Sequence, residues 1–449
     1  MHMCNKLGSE LTRVAISLII LLMVTGNEGV HAQEENVGGA YPAIDSVVIT
    51  GNAKTKDYII LNEMTLKPGS AVTPEAIAFD RNRIYSLGLF TRVDLSSDSV
   101  GGKEILYVDV GERWYIIPLP LFGFRDGDAK KPYYGGGVLH NNFQGRNQKL
   151  LGIIVFGYNP SLALSFSDPL ISDVHNLYFS SSLSFSRVRN RSQQQSSITG
   201  DYDELYYDAS GSLGKRFSLY ETVGLKLGYQ VVHVTSYVPG RTIATDGTDR
   251  YLYGSLSYTL DSRDLREYPS GGALAFLYVN KYGFGESGVN YTRLGADLRG
   301  YLPLPAGFTF AARLHGTVVS GGTPPTYGHV FFGYGERIRG HFKTVFEGEN
   351  MFGSTVELRY PILPARDIYF SAVPLPPEFS IWRFGISIGV FADAGVTWFR
   401  GDKLQLRSFV SGYGAGIRFL LPYSVVMRTE YAFDELRRGQ FILDFRRTL

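Results

Sequence analysis

Residues able to do covalent chemistry are scarce in this 449-residue chain. Its one cysteine is Cys4, and its eight histidines are scattered without the spacing of a metal site. No H-E-x-x-H, G-x-S-x-G or P-loop pattern occurs. Gly283-Phe-Gly-Glu-Ser-Gly288 fits G-x-G-x-x-G formally, but it lies between two alternating segments, where a dinucleotide site needs a strand-to-helix turn. One stretch stands out, Gly333-Tyr-Gly-Glu-Arg-Ile-Arg-Gly-His-Phe342, which is polar, glycine-rich and doubly basic. The chemistry open to it is anion recognition, because a guanidinium fork matches a carboxylate in bidentate geometry. Arg339-Gly340 is not distinctive as a pair, since Arg-Gly recurs at 299, 400 and 438. Its setting is distinctive: a non-strand interval over roughly 321–350, with alternating sequence on both sides.

That alternation defines the elements around it. From Arg113 onward no segment shows helical period. Phe384, Ile386, Ile388, Val390, Ala392, Ala394, Val396 and Trp398 form one face of a strand. Gly385, Ser387, Gly389, Asp393 and Thr397 form most of the other, with Phe391 as the exception. Tyr413, Ala415, Ile417, Phe419 and Leu421 likewise oppose Gly412, Gly414, Gly416 and Arg418. About 16 such segments follow one another, centred near 120, 137, 153, 165, 181, 211, 228, 256, 277, 295, 313, 356, 390, 417, 429 and 444. One apolar and one polar face at period two predicts a transmembrane barrel, with lipid outside and a wet lumen inside. Only closed barrels and helices satisfy backbone groups in lipid. The composition agrees: 52 glycines, 30 tyrosines and 29 phenylalanines suit strands and tight turns. A formal net charge of +2 gives no footprint for nucleic acid.

Residues 1–32 read as a signal peptide. Lys6 and Arg13 precede the apolar run Val14–Val24, and Val30-His31-Ala32 supplies small residues at a cleavage point. The run is 11 residues long, about 16 Å as a helix and too short to span a bilayer. Cys4 falls in this segment, so the mature chain would lack a thiol. Residues 33–42 form a linker.

Residues 43–112 predict a small domain of order β-α-α-β-β. Ile44–Ile49 reads as a strand closed by Gly51-Asn52, and Thr55–Leu61 as a short helix. Thr73 is an N-cap with Pro74 at the first helical position. In that helix Ile77, Ile84 and Leu87 line one face, while Asp80, Arg81 and Arg83 are expected to meet water. Gly88 ends it, and Phe90–Leu95 and Ile105–Val110 are strands.

The order and punctuation of this domain resemble a POTRA module, through Ile49-Thr-Gly51-Asn52, Leu87-Gly88-Leu-Phe90-Thr-Arg-Val93 and Val108-Asp-Val110-Gly-Glu112. The whole of 43–449 resembles the BamA/TamA superfamily of outer-membrane assembly proteins. Matching stretches are Ser167-Asp-Pro-Leu170 after the fourth strand, and Leu260-Asp-Ser-Arg263-Asp264 with Pro269-Ser-Gly-Gly272 between the eighth and ninth. Phe331-Phe-Gly-Tyr-Gly335 with Ile338-Arg339-Gly340 falls between the eleventh and twelfth, and Phe391-Ala-Asp393-Ala-Gly395 lies in the thirteenth. The resemblance implies a mostly β fold: one βααββ POTRA domain in the periplasm, then a 16-stranded antiparallel barrel in the outer membrane of a Gram-negative-type bacterium. The family's better-known members carry five, three or two POTRA modules.

The resemblance also implies that the Arg-Gly loop folds back into the lumen and that its arginine, here Arg339, meets acidic residues on the wall. Parity offers a check, since Asp393 shares a face with Ser387 and Thr397, and Glu357 shares one with Thr355 and Arg359. A second feature is the seam. Pro118 and Pro120 lie in the first barrel strand at one parity, so their missing N–H groups face one neighbour, expected to be the last strand with Phe441, Leu443 and Phe445. The chain ends in Leu449, where an aromatic residue is usual for such barrels. Asp261, Arg263, Asp264, Arg266 and Glu267 read most simply as a solvated turn.

The expected function is non-enzymatic insertion or translocation of polypeptides. The POTRA domain would receive unfolded outer-membrane or secreted clients by strand addition, and the seam would template their strands. Outer-membrane lipid and periplasmic accessory proteins complete the expected partners, with no nucleic acid, no cofactor and no metal. The alternatives are a dedicated secretion channel or pore for one polypeptide or solute, and an enzyme that uses the barrel as a scaffold.

Overall fold

The computed structural model describes residues 41–447 apart from 126–127, 173, 267, 286–287, 370–380 and 422–424. The signal-peptide stretch 1–32, residues 33–40 of the linker, Glu267 and Leu449 lie outside the described residues.

The N-terminal domain runs β1 (Ser46–Thr50), α1 (Asp57–Leu61), α2 (Pro74–Ser86), β2 (Phe90–Val100) and β3 (Lys103–Glu112). The sheet order is β1-β3-β2, with β1 parallel and β2 antiparallel to β3. The Thr73 hydroxyl accepts from the Ala76 N–H at 3.1 Å, which caps α2 as the sequence predicts. Gly88, at φ +71°, reverses the chain into β2. Ile60, Ile84, Leu89, Phe90, Leu106 and Val108 are fully buried between helices and sheet.

The polar residues of α2 differ from expectation. Asp80 is buried, and its carboxylate accepts from the Thr65 and Leu66 N–H groups, each at 2.8 Å. It ties down the loop after α1, which no helical periodicity can reveal. Arg83 is buried as well, because it reaches out of the domain to the barrel.

The barrel strands are β4 (Ile116–Phe124), β5 (Pro132–Phe143), β6 (Gln148–Gly157), β7 (Ser161–Ser172), β8 (Leu177–Arg189), β9 (Asp203–Arg216), β10 (Glu221–Val234), β11 (Thr248–Asp261), β12 (Gly272–Tyr282), β13 (Tyr291–Pro303) and β14 (Thr309–Gly321). A long loop follows and carries a short hairpin, β15 (Val330–Phe332) with β16 (Phe346–Gly348). Then come β17 (Asn350–Tyr369), β18 (Ile381–Trp398), β19 (Val410–Leu421), β20 (Val425–Asp434) and β21 (Gly439–Arg447). Sixteen of these strands form one antiparallel sheet in sequence order from β4 to β21, and each segment centre read from the sequence falls inside one of them.

Three expectations change here. A short helix, α3 (Gln193–Thr199), interrupts the β8–β9 connection, where Ser192 caps it by accepting from Gln195 N–H. Ser167–Leu170 lies within β7 rather than after it. The sheet is also open: among the described residues β4 pairs only with β5, and β21 only with β20. The prolines supply a physical reason. The β4–β5 ladder runs through Pro118 and Pro120, so their nitrogens, which carry no hydrogen, turn to the free edge and offer it no donor.

The N-terminal domain sits on one end of the barrel. Asn141 Nδ2 donates to the Gly88 carbonyl and Asn142 Nδ2 to the Thr55 hydroxyl, each at 2.9 Å. Leu265, from the β11–β12 turn, is buried in the domain's apolar core. That turn is therefore a docked element, not a solvated one, and Arg263 in it is buried against Asp261 at 2.7 Å.

Glu63 is the ionic centre of this contact, 2.7 Å from Arg216 of β9 and 2.8 Å from Arg83. Burial alone would raise its carboxyl, but Arg216, and then Arg83, outweigh burial and hold it below the ordinary carboxylate value. A lowered folded-state pKa stabilises docking above the free-carboxylate value of about 4.3, and that contribution is lost as pH falls through the depressed value. Spin-label distances between the domain and the barrel should therefore broaden in that acid window. Glu63→Gln should give broadened distances already at pH 7, and equal acid sensitivity in both proteins would refute the assignment.

Candidate functional site: an arginine held inside the barrel

The β14–β17 loop leaves the end of the barrel opposite the N-terminal domain and turns back into the interior. Ile338 anchors it, buried in an apolar cluster with Phe332 and Met351. Gly340, at φ +98°, then lets the chain turn where it meets the Phe433 carbonyl of β20. On β19 a Cβ at Gly412 would overlap the Arg339 carbonyl oxygen. The glycine face that alternation assigns to the lumen is thus the surface on which the loop lies.

Arg339 is the centre of the site. Its Nε and Nη2 donate to the two Asp393 oxygens at 2.8 and 2.7 Å, and its backbone N–H adds a bond of 3.0 Å to Asp393 Oδ2. Nη1 donates to Glu357 Oε1 at 2.7 Å and to Glu430 Oε1 at 3.0 Å. The guanidinium carbon lies 3.6 Å from the Phe391 ring centroid. Phe391, the apolar exception on its strand's polar face, is thereby a cation–π platform. Arg418 adds bridges to Glu357 at 2.9 Å and Glu430 at 3.3 Å, and Arg359 Nε donates to Glu357 Oε2 at 2.8 Å. Three arginines thus meet three carboxylates, all at buried or nearly buried positions.

The structure therefore brings together Ile338, Arg339, Gly340, Glu357 and Asp393. Sequence reasoning missed Glu430, although β20 carries the needed signal: Arg428, Glu430, Ala432 and Asp434 share a parity opposite Tyr431. Arg418 was legible as lumenal but not as a partner of Glu357. The seam residues lie elsewhere. Pro118 and Pro120 are on the free edge of β4, and Phe441 and Leu443 are exposed on the outer face of β21. Phe445 pairs with Met427, and its side chain lies outside the described residues. Among the described residues β4 and β21 are not paired.

The arrangement is suited to holding. Every carboxylate in it accepts from an arginine, and no hydroxyl or thiol nucleophile is among its members. Among the described residues no group of histidine, cysteine, aspartate and glutamate could bind a metal ion.

A sixteen-stranded antiparallel sheet with an apolar outer face, a charged interior and a docked βααββ domain defines an outer-membrane barrel with a periplasmic POTRA domain. The chain belongs to the Omp85 superfamily: the Omp85 superfamily domain matches residues 142–441, and the POTRA model, described as a surface antigen variable number repeat, matches 42–113. Among curated proteins, the outer membrane protein assembly factor BamA of Neorickettsia risticii is 25% identical over 274 residues, covering 57% of this chain. The match spans about a third (33%) of that relative's length. BamA from Haemophilus ducreyi lacking POTRA domains 1–3 superposes with a TM-score of 0.54 at 16% identity, over 91% of this chain and 84% of that one. CdiB from Escherichia coli gives 0.50 at 10% identity, over 97% and 96%. These two likenesses show the fold. The POTRA domain lies in the periplasm, so the loop that carries Arg339 enters the lumen from the extracellular side.

Proposed function

We propose that this protein assembles or translocates polypeptides at the outer membrane, without covalent catalysis. The observation that carries the reading is the open sheet: among the described residues β4 and β21 present unpaired backbone in a wall that lipid surrounds. Unpaired backbone groups in lipid cost several kcal/mol each, so such an edge strongly favours any strand that can pair with it. Pro118 and Pro120 remove two N–H donors from the free edge of β4, which weakens self-closure and leaves the edge to a client. The POTRA domain, docked at the periplasmic mouth, has free sheet edges at β1 and β2 where an extended client can add. Clients would be unfolded outer-membrane or secreted chains, with outer-membrane lipid and periplasmic accessory proteins as further partners. Within this mechanism Arg339 pins the long loop inside the barrel and leaves the wall free to open.

Depletion followed by outer-membrane proteomics tests this. Assembly activity predicts loss of many barrels together, and a dedicated transporter predicts loss of one secreted product. Loss of neither would sink both readings. A cleavable cross-link that joins the β4 and β21 edges should reproduce the depletion, and its cleavage should relieve it.

A further inference from the structure

The lumenal wall differs on the two sides of the open seam. Beside β21 it is polar: Arg418, Arg428, Glu430 and Asp444 face inward, and the loop that carries Arg339 lies over this side. Beside β4 it is apolar. The β4 sequence, Ile-Ile-Pro-Leu-Pro-Leu-Phe-Gly-Phe, is apolar at both parities. Ile116, Phe122 and Phe124 are exposed on the outer face, so Ile117, Leu119 and Leu121 turn to the lumen.

Register carries this apolar face away from the edge. Ile117 pairs with Leu139, Leu119 with Gly137 and Leu121 with Gly135. On β6, Ile153 then stands opposite Gly137 and Val155 opposite Gly135, while the intervening Ile154 is exposed to lipid. Two apolar ridges, on β4 and β6, therefore flank a strand that carries glycine between them. At strand spacing the ridges are about 10 Å apart. A Cβ at Gly135 or Gly137 would run into the β6 backbone, so the trough between the ridges stays open. Ile117, Leu119, Leu121 and Ile153 are only partly buried. The trough starts at the periplasmic mouth, since Tyr115, just below Ile117, packs into the POTRA core and Asn141, just below Leu139, bonds to Gly88.

We propose that this trough holds the apolar side chains of a client segment inside the lumen before they turn out to lipid. The inference rests on the reading of the β4 edge as the client's pairing site. A client barrel strand repeats its apolar residues every two positions, about 6.6 Å, which is the spacing of Ile117, Leu119 and Leu121 along their ridge. Its polar face would remain toward lumenal water and the charged far wall. A lipid acyl chain could cover the same ridges, but it cannot pair with the backbone of the adjoining edge, and a polypeptide can.

Photo-cross-linking of the full chain in phosphatidylethanolamine nanodiscs tests this. The probe is the peptide Gly439–Arg447 of this chain, a barrel strand with Phe441, Leu443 and Phe445 at one parity. A benzophenone side chain placed at Ile153 should capture it, as should one at Phe122 beside the edge, and one at Ile154 should not. The peptide carrying Phe441→Ser, Leu443→Ser and Phe445→Ser should lose capture at Ile153. Leu119→Ser combined with Ile153→Ser should weaken peptide binding by about fivefold or more, whereas Ile154→Ser should leave it unchanged. Capture at Phe122 without capture at Ile153 would overturn the trough and leave the edge reading intact. Capture at neither position would count against both. Capture of lipid at Ile153 under saturating peptide would assign the trough to an acyl chain and overturn the proposal, as would unchanged affinity in the double variant.

Discussion

Arg339→Ala is expected to destabilise the barrel by about 3–5 kcal/mol, the cost of removing one partner from a buried ionic cluster. Asp393 would lose three hydrogen bonds, and Glu357 and Glu430 one each. The backbone bond from Arg339 depends on the loop's position, so it fails with the side chain. The measurement is the temperature at which the folded barrel loses its fast migration on denaturing gels. Arg339→Lys should fall between wild type and alanine, because a point charge cannot hold Asp393 through two nitrogens and reach Glu357 as well. Client assembly should fall in the same order. Unchanged heat stability in the alanine variant would remove the pinning role altogether.

Gly412→Ala should be nearly as damaging, although it removes no interaction. The added Cβ would overlap the Arg339 carbonyl oxygen, a backbone atom that cannot yield by changing rotamer. Overpacking of this kind costs about 1–3 kcal/mol, and here the cheapest relief is to lift the loop off the wall. Gly335→Ala, in the same loop with open space around its Cβ position, is the neutral comparison. Because Gly412 and Arg339 act on one contact, the double variant should be little worse than the more damaging single. Full additivity would mean that the two residues stabilise different things.

Period two made the strands legible, because every barrel strand must show lipid one face and the lumen the other. The same rule places Glu357 and Asp393 on the lumenal wall from the sequence alone. It did not reveal Glu430, because alternation gives the side of the wall and not the height along it. Height depends on how far each strand is staggered against the next, which the residues of one strand do not encode. Asp80, Arg83 and the Asp261–Arg266 turn were misjudged for a related reason. Asp80 is covered by the Thr65–Leu66 loop of its own domain, whereas Arg83 and the turn look solvated until the other domain covers them, and that domain's position is set by contacts such as Glu63 with Arg216 and Asn141 with Gly88. Phe391 was legible only as an anomaly, and its partner sits in another strand connection entirely.

Leu265 belongs to the turn that links the eighth and ninth barrel strands, yet it is buried in the core of the POTRA domain. The apolar core of the POTRA domain is therefore completed by a residue of the barrel. A chain that emerges N-terminus first carries a POTRA domain with a gap in its apolar core, and half of the barrel sequence must follow before the gap is filled. The completion of the receiving domain is thus tied to the biogenesis of the pore: the periplasmic module reaches its final packing only once the barrel's own hairpins exist.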